Sequence, residues 1–217
     1  LWLISATITM NTTGSSFDFG GTGWSSIVLW SMDANLFHWA GDTTHLTLHD
    51  LAIASVGSPK SPSSTAIYFD KSCQYSIISN ILITGSQPIV QHPELKPTAA
   101  GGGFDLGTYT QTVTVDDCYI WSAAGFGVKI GYGAEVRIGG GRFEGVTPET
   151  GIGVWLTGGN GGVHLTSTDV GLWKIGLLSN QTCRPGVEAW CGGNFASNRE
   201  VFLTHATLDS CGTVRAH

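Results

Sequence analysis

The sequence predicts an all-β solenoid of about six or seven stacked coils, forming a single domain over residues 1–217. Two patterns and the composition carry that expectation. Apolar residues alternate with polar ones over runs too short for helices, and a two-part unit built from such runs recurs along the chain. With 31 glycines and only 12% charged residues, the composition is that of a turn-rich β protein.

The stretch Gly125 to Val146, GFGVKIGYGAEVRIGGGRFEGV, shows the unit most plainly. Val128 and Ile130 flank Lys129, Val136 and Ile138 flank Arg137, and Phe143 stands between Arg142 and Glu144. Each triplet reads as a strand with one apolar face, and the intervening glycines permit the turns. Upstream strands align as NLFHWAG from Asn35, TAIYFDK from Thr65, GGFDLGT from Gly102, FGVKIGY from Phe126, GVWLTGG from Gly153 and IGLLSNQ from Ile175. Their downstream partners align as HLTLHDLAI from His45, YSIISNILI from Tyr75, TVTVDDCYI from Thr112, EVRIGGGRF from Glu135, GVHLTSTDV from Gly162 and EVFLTHATL from Glu200. The starts at 45, 75, 112, 135, 162 and 200 are unevenly spaced, as expected where strands keep register and turns lengthen.

A net charge of −6 argues against a nucleic-acid partner, which needs a basic surface. No apolar run approaches the roughly 20 residues of a membrane-spanning helix. Starting at Leu1 without Met, the sequence is expected to be a portion of a longer chain.

The opening coil carries a resemblance. Ile4-Ser5 followed by Ile8-Thr9, then Phe17 and Phe19, then Gly21-Thr22-Gly23-Trp24 and the strand Ile27 to Trp30, resemble the first coils of the pectate lyase superfamily. That superfamily contains polysaccharide lyases, polygalacturonase-like hydrolases and phage tailspike depolymerases. The resemblance implies a right-handed parallel β-helix, a polysaccharide partner, an extracellular, secreted or virion-surface location and, as in tailspikes, a homotrimer. It leaves the reaction open between hydrolase and lyase. The Asp116-Asp117 pair follows Thr-Val-Thr-Val and departs from the hydrolase N-x-D pattern, and the clustered Asp and Arg of calcium-dependent lyases are absent. A non-catalytic stem or adhesin segment of a phage tail or cell-surface fibre is the alternative.

Stacked parallel strands lie about 4.8 Å apart, so equivalent residues of successive coils form columns. Phe37, Ile67, Phe104, Val128, Val154 and Leu177 form one inward column, and Leu48, Ile78, Val115, Ile138, Leu165 and Leu203 another. Between the inward positions of the upstream strands lie His38, Tyr68, Asp105, Lys129, Trp155 and Leu178, one per coil. Such a file suits a glycan, whose ring faces lie on aromatic side chains while its hydroxyls bond polar ones. His38, Tyr68 and Trp155 are the expected substrate contacts there, joined by Asn180 and by Arg184 and Trp190 from the insertion 180–199. The plainer reading of Asp105 and Lys129 is an exposed ion pair.

Catalysis, if present, is expected from Asp105, Asp70 and Lys129. One coil and two residues separate the carboxylates, a diagonal of roughly 8 Å that matches the spacing of inverting glycosidases. Glu144 and Asp209, in a column shared with Trp121, form a reserve set. The insertion 85–102 and the insertion 180–199 are both expected to wall the groove. A Cys183–Cys191 bridge would pin the second in an oxidising compartment, while Cys118 reads as a buried apolar residue. No cofactor is expected, and no metal, because the Cys and His spacings match no ligand pattern.

Overall fold

A computed structural model describes residues 1–11, 16–86, 89, 92–158, 160–179 and 190–204. Among these residues there is no helix, and nineteen strands join one sheet. In chain order they are β1 (Trp2–Ile4), β2 (Ile8–Asn11), β3 (Phe17–Gly20), β4 (Ile27–Trp30), β5 (Phe37–Ala40), β6 (Asp42–Thr44) and β7 (Leu46–Ser55). Then come β8 (Thr65–Phe69), β9 (Ser72–Thr84), β10 (Ala100–Asp105), β11 (Tyr109–Asp116), β12 (Tyr119–Ile130) and β13 (Tyr132–Gly139). The last are β14 (Arg142–Gly145), β15 (Ile152–Leu156), β16 (Asn160–Gly171), β17 (Ile175–Ser179), β18 (Trp190–Ala196) and β19 (Glu200–Thr204).

Every pairing between these strands is parallel, and the pairings sort into three ladders. The first runs β2, β5, β8, β10, the second half of β12, β15, β17 and β19. The second runs β3, then β6 with the start of β7, β9, β11, β13, β16 and β18. The third runs β1, β4, then the later parts of β7 and β9, the start of β12, β14 and the ends of β16 and β18. The chain visits the ladders in one unvarying order, so each strand hydrogen-bonds to the strand that occupied the same place one circuit earlier.

The inward columns meet in one core. Phe37, Trp39, Phe69, Phe104, Ile138, Phe143 and Leu165 are among its fully buried members. Trp39 and Phe69, on adjacent strands of the first ladder, stack with ring centroids 5.0 Å apart. A column of glycines, Gly103, Gly127, Gly153 and Gly176, borders this core, placed by the register of Phe104, Val128, Val154 and Leu177. A Cβ on Gly103 would come within 2.3 Å of Ile120 Cδ1, and one on Gly153 within 2.3 Å of Val170 Cγ1, so at these positions the first ladder lies too close to third-ladder side chains for a side chain of its own.

At the bend between the second and third ladders, Asp50, Asn80, Asp117 and Ser167 all adopt positive φ, between 48° and 56°. Asn and Asp tolerate that region better than most residues, which explains the small polar side chains there. The Asn80 amide also donates to Asp50 Oδ1 of the preceding strand. Beside it, His49 lies between two carboxylates, Nδ1 2.8 Å from Asp50 Oδ2 and Nε2 3.0 Å from Asp18 Oδ1. The bond to Asp50 first, and then the contact with Asp18, hold the imidazole above its ordinary pKa against the opposing effect of burial. A raised folded-state pKa means that this contribution to stability is complete below the unfolded value of 6.5 and is lost as pH rises through the folded value. We therefore expect the melting temperature to fall as pH is raised from 6 to 8 (roughly the titration range of His), and His49→Gln to flatten that slope. A wild-type slope unchanged in His49→Gln would show that other groups carry it.

Two expectations need correction. EVFLTHATL from Glu200 was expected to form a downstream strand, but β19 pairs with β17 in the first ladder, Leu177 against Phe202 and Leu178 against Leu203. The second-ladder strand of that circuit is β18, inside the segment expected to be a long loop, with Trp190 in register with His164. Alternation identifies a strand but not its ladder, and the Glu-Val-x-x pattern of Glu200 imitates that of Glu135. The other correction concerns residues 85–99. Ile89 and Leu95 pack with Trp24, Tyr119, Trp121 and the buried Ile27, Leu29 and Leu82, so this insertion covers the outer face of the third ladder rather than walling the file of aromatic and charged residues.

No helix among the described residues is long and apolar enough to cross a membrane. Among the described residues, Tyr75 and Ile77 of β9 are the most exposed large apolar ones beyond Leu1, Trp2 and Leu3. Cys73 and Cys118 are buried free thiols, pushed up to about 12 by burial. Cys183 lies outside the described residues, and Cys191 is placed only as a position in β18.

Candidate functional site

The register of the first ladder brings His38, Tyr68, Asp105, Lys129 and Trp155 onto successive strands as direct neighbours. His38 pairs with Tyr68, Tyr68 with Asp105, Asp105 with Lys129, and Lys129 with Trp155. The outward file expected from the alternation is therefore a single line from His38 to Trp155, while Leu178, in register with Trp155, is buried rather than outward. The His38 and Tyr68 rings lie 5.1 Å apart, and the Lys129 ammonium is 5.6 Å from the centre of the Trp155 ring.

Asp105 is the buried member of the line. Its Oδ2 accepts from Lys129 Nζ at 2.8 Å and its Oδ1 from the Gly107 amide at 3.2 Å. The side chain of Asp105 is 8% exposed and that of Lys129 31%, so this is a half-sheltered pair rather than the solvated surface pair that spacing alone implies. Gly107 makes the arrangement possible. Its φ of +82° turns the chain sharply after Asp105, and a Cβ there would lie 2.8 Å from the Lys71 carbonyl oxygen.

Along this line runs an open groove of about 460 Å³, lined by Tyr68, Asp105, Lys129, Trp155, Phe126 and Gly125, with Asn35, Thr65, Pro62 and Ser63 at one side. A smaller depression of about 90 Å³ lies at its other side, where Asp70 joins Tyr68, Asp105, Lys129, Thr108 and Thr157. Both carboxylates expected to act in catalysis thus face one hollow, Asp105 buried and Asp70 exposed.

The side with Pro62 and Ser63 was not expected from the sequence. It is the connection between β7 and β8, held in shape by two anchors. Lys60, 4% exposed, donates from Nζ to the carbonyls of Val56 and Ser58 at 2.8 and 2.6 Å. Burial lowers its pKa, against which the nearby Asp33 acts. Asp33 Oδ1 in turn accepts from the Ser61 amide and the Ser64 hydroxyl, both at 2.7 Å. The signal available in the sequence was Gly57-Ser58-Pro59-Lys60-Ser61-Pro62, a turn whose one long side chain is an amphipathic lysine.

Two buried nitrogens in the line have no hydrogen-bond partner, His38 Nε2 and Trp155 Nε1. An unmet buried donor or acceptor costs about 1–3 kcal/mol, and of these two residues Trp155 lines the groove while His38 does not. The Trp39 indole nitrogen is unmet as well, yet it lies in the core, so the observation carries weight only where a groove reaches the atom.

Asn180, Arg184 and Asp209 are outside the described residues. Trp190 occupies a second-ladder position, not one beside the groove. Glu144 is ion-paired to Arg142 and lines a separate hollow of about 160 Å³ with Asp169 and Ser197, while Trp121 packs beneath the insertion against Tyr119 at 6.2 Å. Among the described residues, no three His, Cys, Asp or Glu side chains converge as a metal site. Comparison with protein-family models, curated proteins and solved structures finds no match to the chain.

Proposed function

We propose that this chain folds as a right-handed parallel β-helix whose outer groove binds an extracellular or virion-surface polysaccharide. The observation that supports this reading is the single line of Tyr68, Asp105, Lys129 and Trp155 in one open groove, with the unmet Trp155 Nε1 beside it. A sugar ring laid on Trp155 gains apolar contact with the indole, and its hydroxyls find donors and acceptors in Tyr68, Asn35 and Ser63. An open groove admits the middle of a polymer, whereas a closed pocket takes only an end or a small molecule.

Cleavage is the second reading, and one observation favours it: Asp70 and Asp105 face the same depression. Hydrolysis with inversion would use one as acid and the other to activate water. Against it, both oxygens of Asp105 are already engaged, by Lys129 and by Gly107. Binding without turnover is therefore the function that the geometry supports best. In affinity electrophoresis through gels containing soluble polysaccharides, Trp155→Ala is expected to weaken retention about tenfold or more, the loss typical of an aromatic anchor. Retention unchanged in Trp155→Ala would remove the groove from consideration. Reducing sugar or unsaturated uronate released by the wild type but not by Asp105→Asn would favour the second reading.

A further inference from the structure

We infer that the groove selects an uncharged polysaccharide over a polyuronate; the inference rests on the glycan-binding reading above. The charges in the groove do not balance. Lys129 is neutralised by Asp105 at 2.8 Å, and Asp70, exposed in the same depression, has no second cation lining that depression or the groove among the described residues. Lys71 follows Asp70 in the chain and is exposed, but lines neither hollow. Lys60 is turned inward onto the Val56 and Ser58 carbonyls. Burial first, and then the charges of Asp105 and Asp70, raise the pKa of the Tyr68 phenol, a sign of negative potential where a sugar would lie.

A uronate carboxylate entering this groove could gain an attractive partner only by drawing Lys129 away from Asp105. That exchange strands a carboxylate whose side chain is 8% exposed with only the Gly107 amide to hold it, and an unpaired buried charge is among the costliest defects a protein carries. A neutral sugar needs no such exchange. It takes the Trp155 face, the unmet Trp155 Nε1 donor and the hydroxyls and amide already lining the groove.

Affinity electrophoresis of the wild-type chain at low ionic strength tests the inference with soluble starch, mixed-linkage β-glucan and galactomannan set against polygalacturonate and alginate. At least one neutral polymer is expected to bind about tenfold more tightly than either polyuronate, the effect of one unbalanced charge at close range. Asp70→Asn should raise retention of polygalacturonate about threefold or more. A polyuronate bound as tightly as every neutral polymer, or no gain in Asp70→Asn, overturns the selectivity while leaving the groove as a glycan site. Failure of the wild type to bind any of the five polymers overturns the glycan reading itself.

Discussion

Phe104→Ala is expected to destabilise the chain by about 3–5 kcal/mol, the range for deleting a fully buried aromatic ring. Phe104 is 0% exposed and lies in register between Ile67 and Val128, so its ring fills the first-ladder side of the core in the middle of the stack. Gly103, next to it, is already seated within 2.5 Å, measured from a Cβ built there, of the Gly127 carbonyl oxygen. The surrounding strands are tied on both sides by parallel ladders and cannot close over the space that the ring leaves, which places the cost towards the upper part of the range. Urea denaturation followed by tryptophan fluorescence measures it. A loss below about 1.5 kcal/mol would mean that the interior relaxes freely and is not close-packed at this rung.

Lys129→Met is expected to cost about 3 kcal/mol, because it removes the ammonium from a sheltered carboxylate and leaves Asp105 with one backbone donor. The figure is taken at the low end of the range for broken buried pairs because Lys129 itself is 31% exposed and water can partly replace it. The discriminating variant is Asp105→Asn combined with Lys129→Met. With the charge gone, most of the loss should be recovered, since a neutral amide still accepts from Gly107 at far smaller desolvation cost. A double variant as unstable as Lys129→Met alone would show that the lysine contributes through its packing against Trp155 and not through its charge.

The alternation of side chains made much of the arrangement readable before any coordinates. Phe104, Val128 and Val154 as neighbours, and Tyr68, Asp105, Lys129 and Trp155 as a file beside them, follow from period two and a shared register, both of which are local properties of strands. What alternation lacks is any label for the ladder to which a strand belongs, and the assignment of Glu200 to Thr204 failed for that reason. The bends were also hidden. His45, Tyr75, Thr112 and Glu135 all take positive φ near 50°, which these residue types do not advertise, because stacking between circuits imposes the conformation against local preference. The Pro62 and Ser63 side of the groove, and the apolar face beneath Ile89 and Leu95, depend on where a connection lies in space, and no short-range pattern records that.

The parts of the groove come from positions as far apart as Asn35 and Trp155, delivered by successive circuits. Their spacing is fixed by hydrogen bonds between circuits and not by the lengths of the intervening connections. Added residues at a bend cost little, growing only slowly with length, whereas one residue deleted within β10 or β12 would exchange the interior and exterior sets along the remainder of that segment. Divergence in such a chain is channelled to its corners: there the sequence can drift in length while the spacing along the outward line stays frozen.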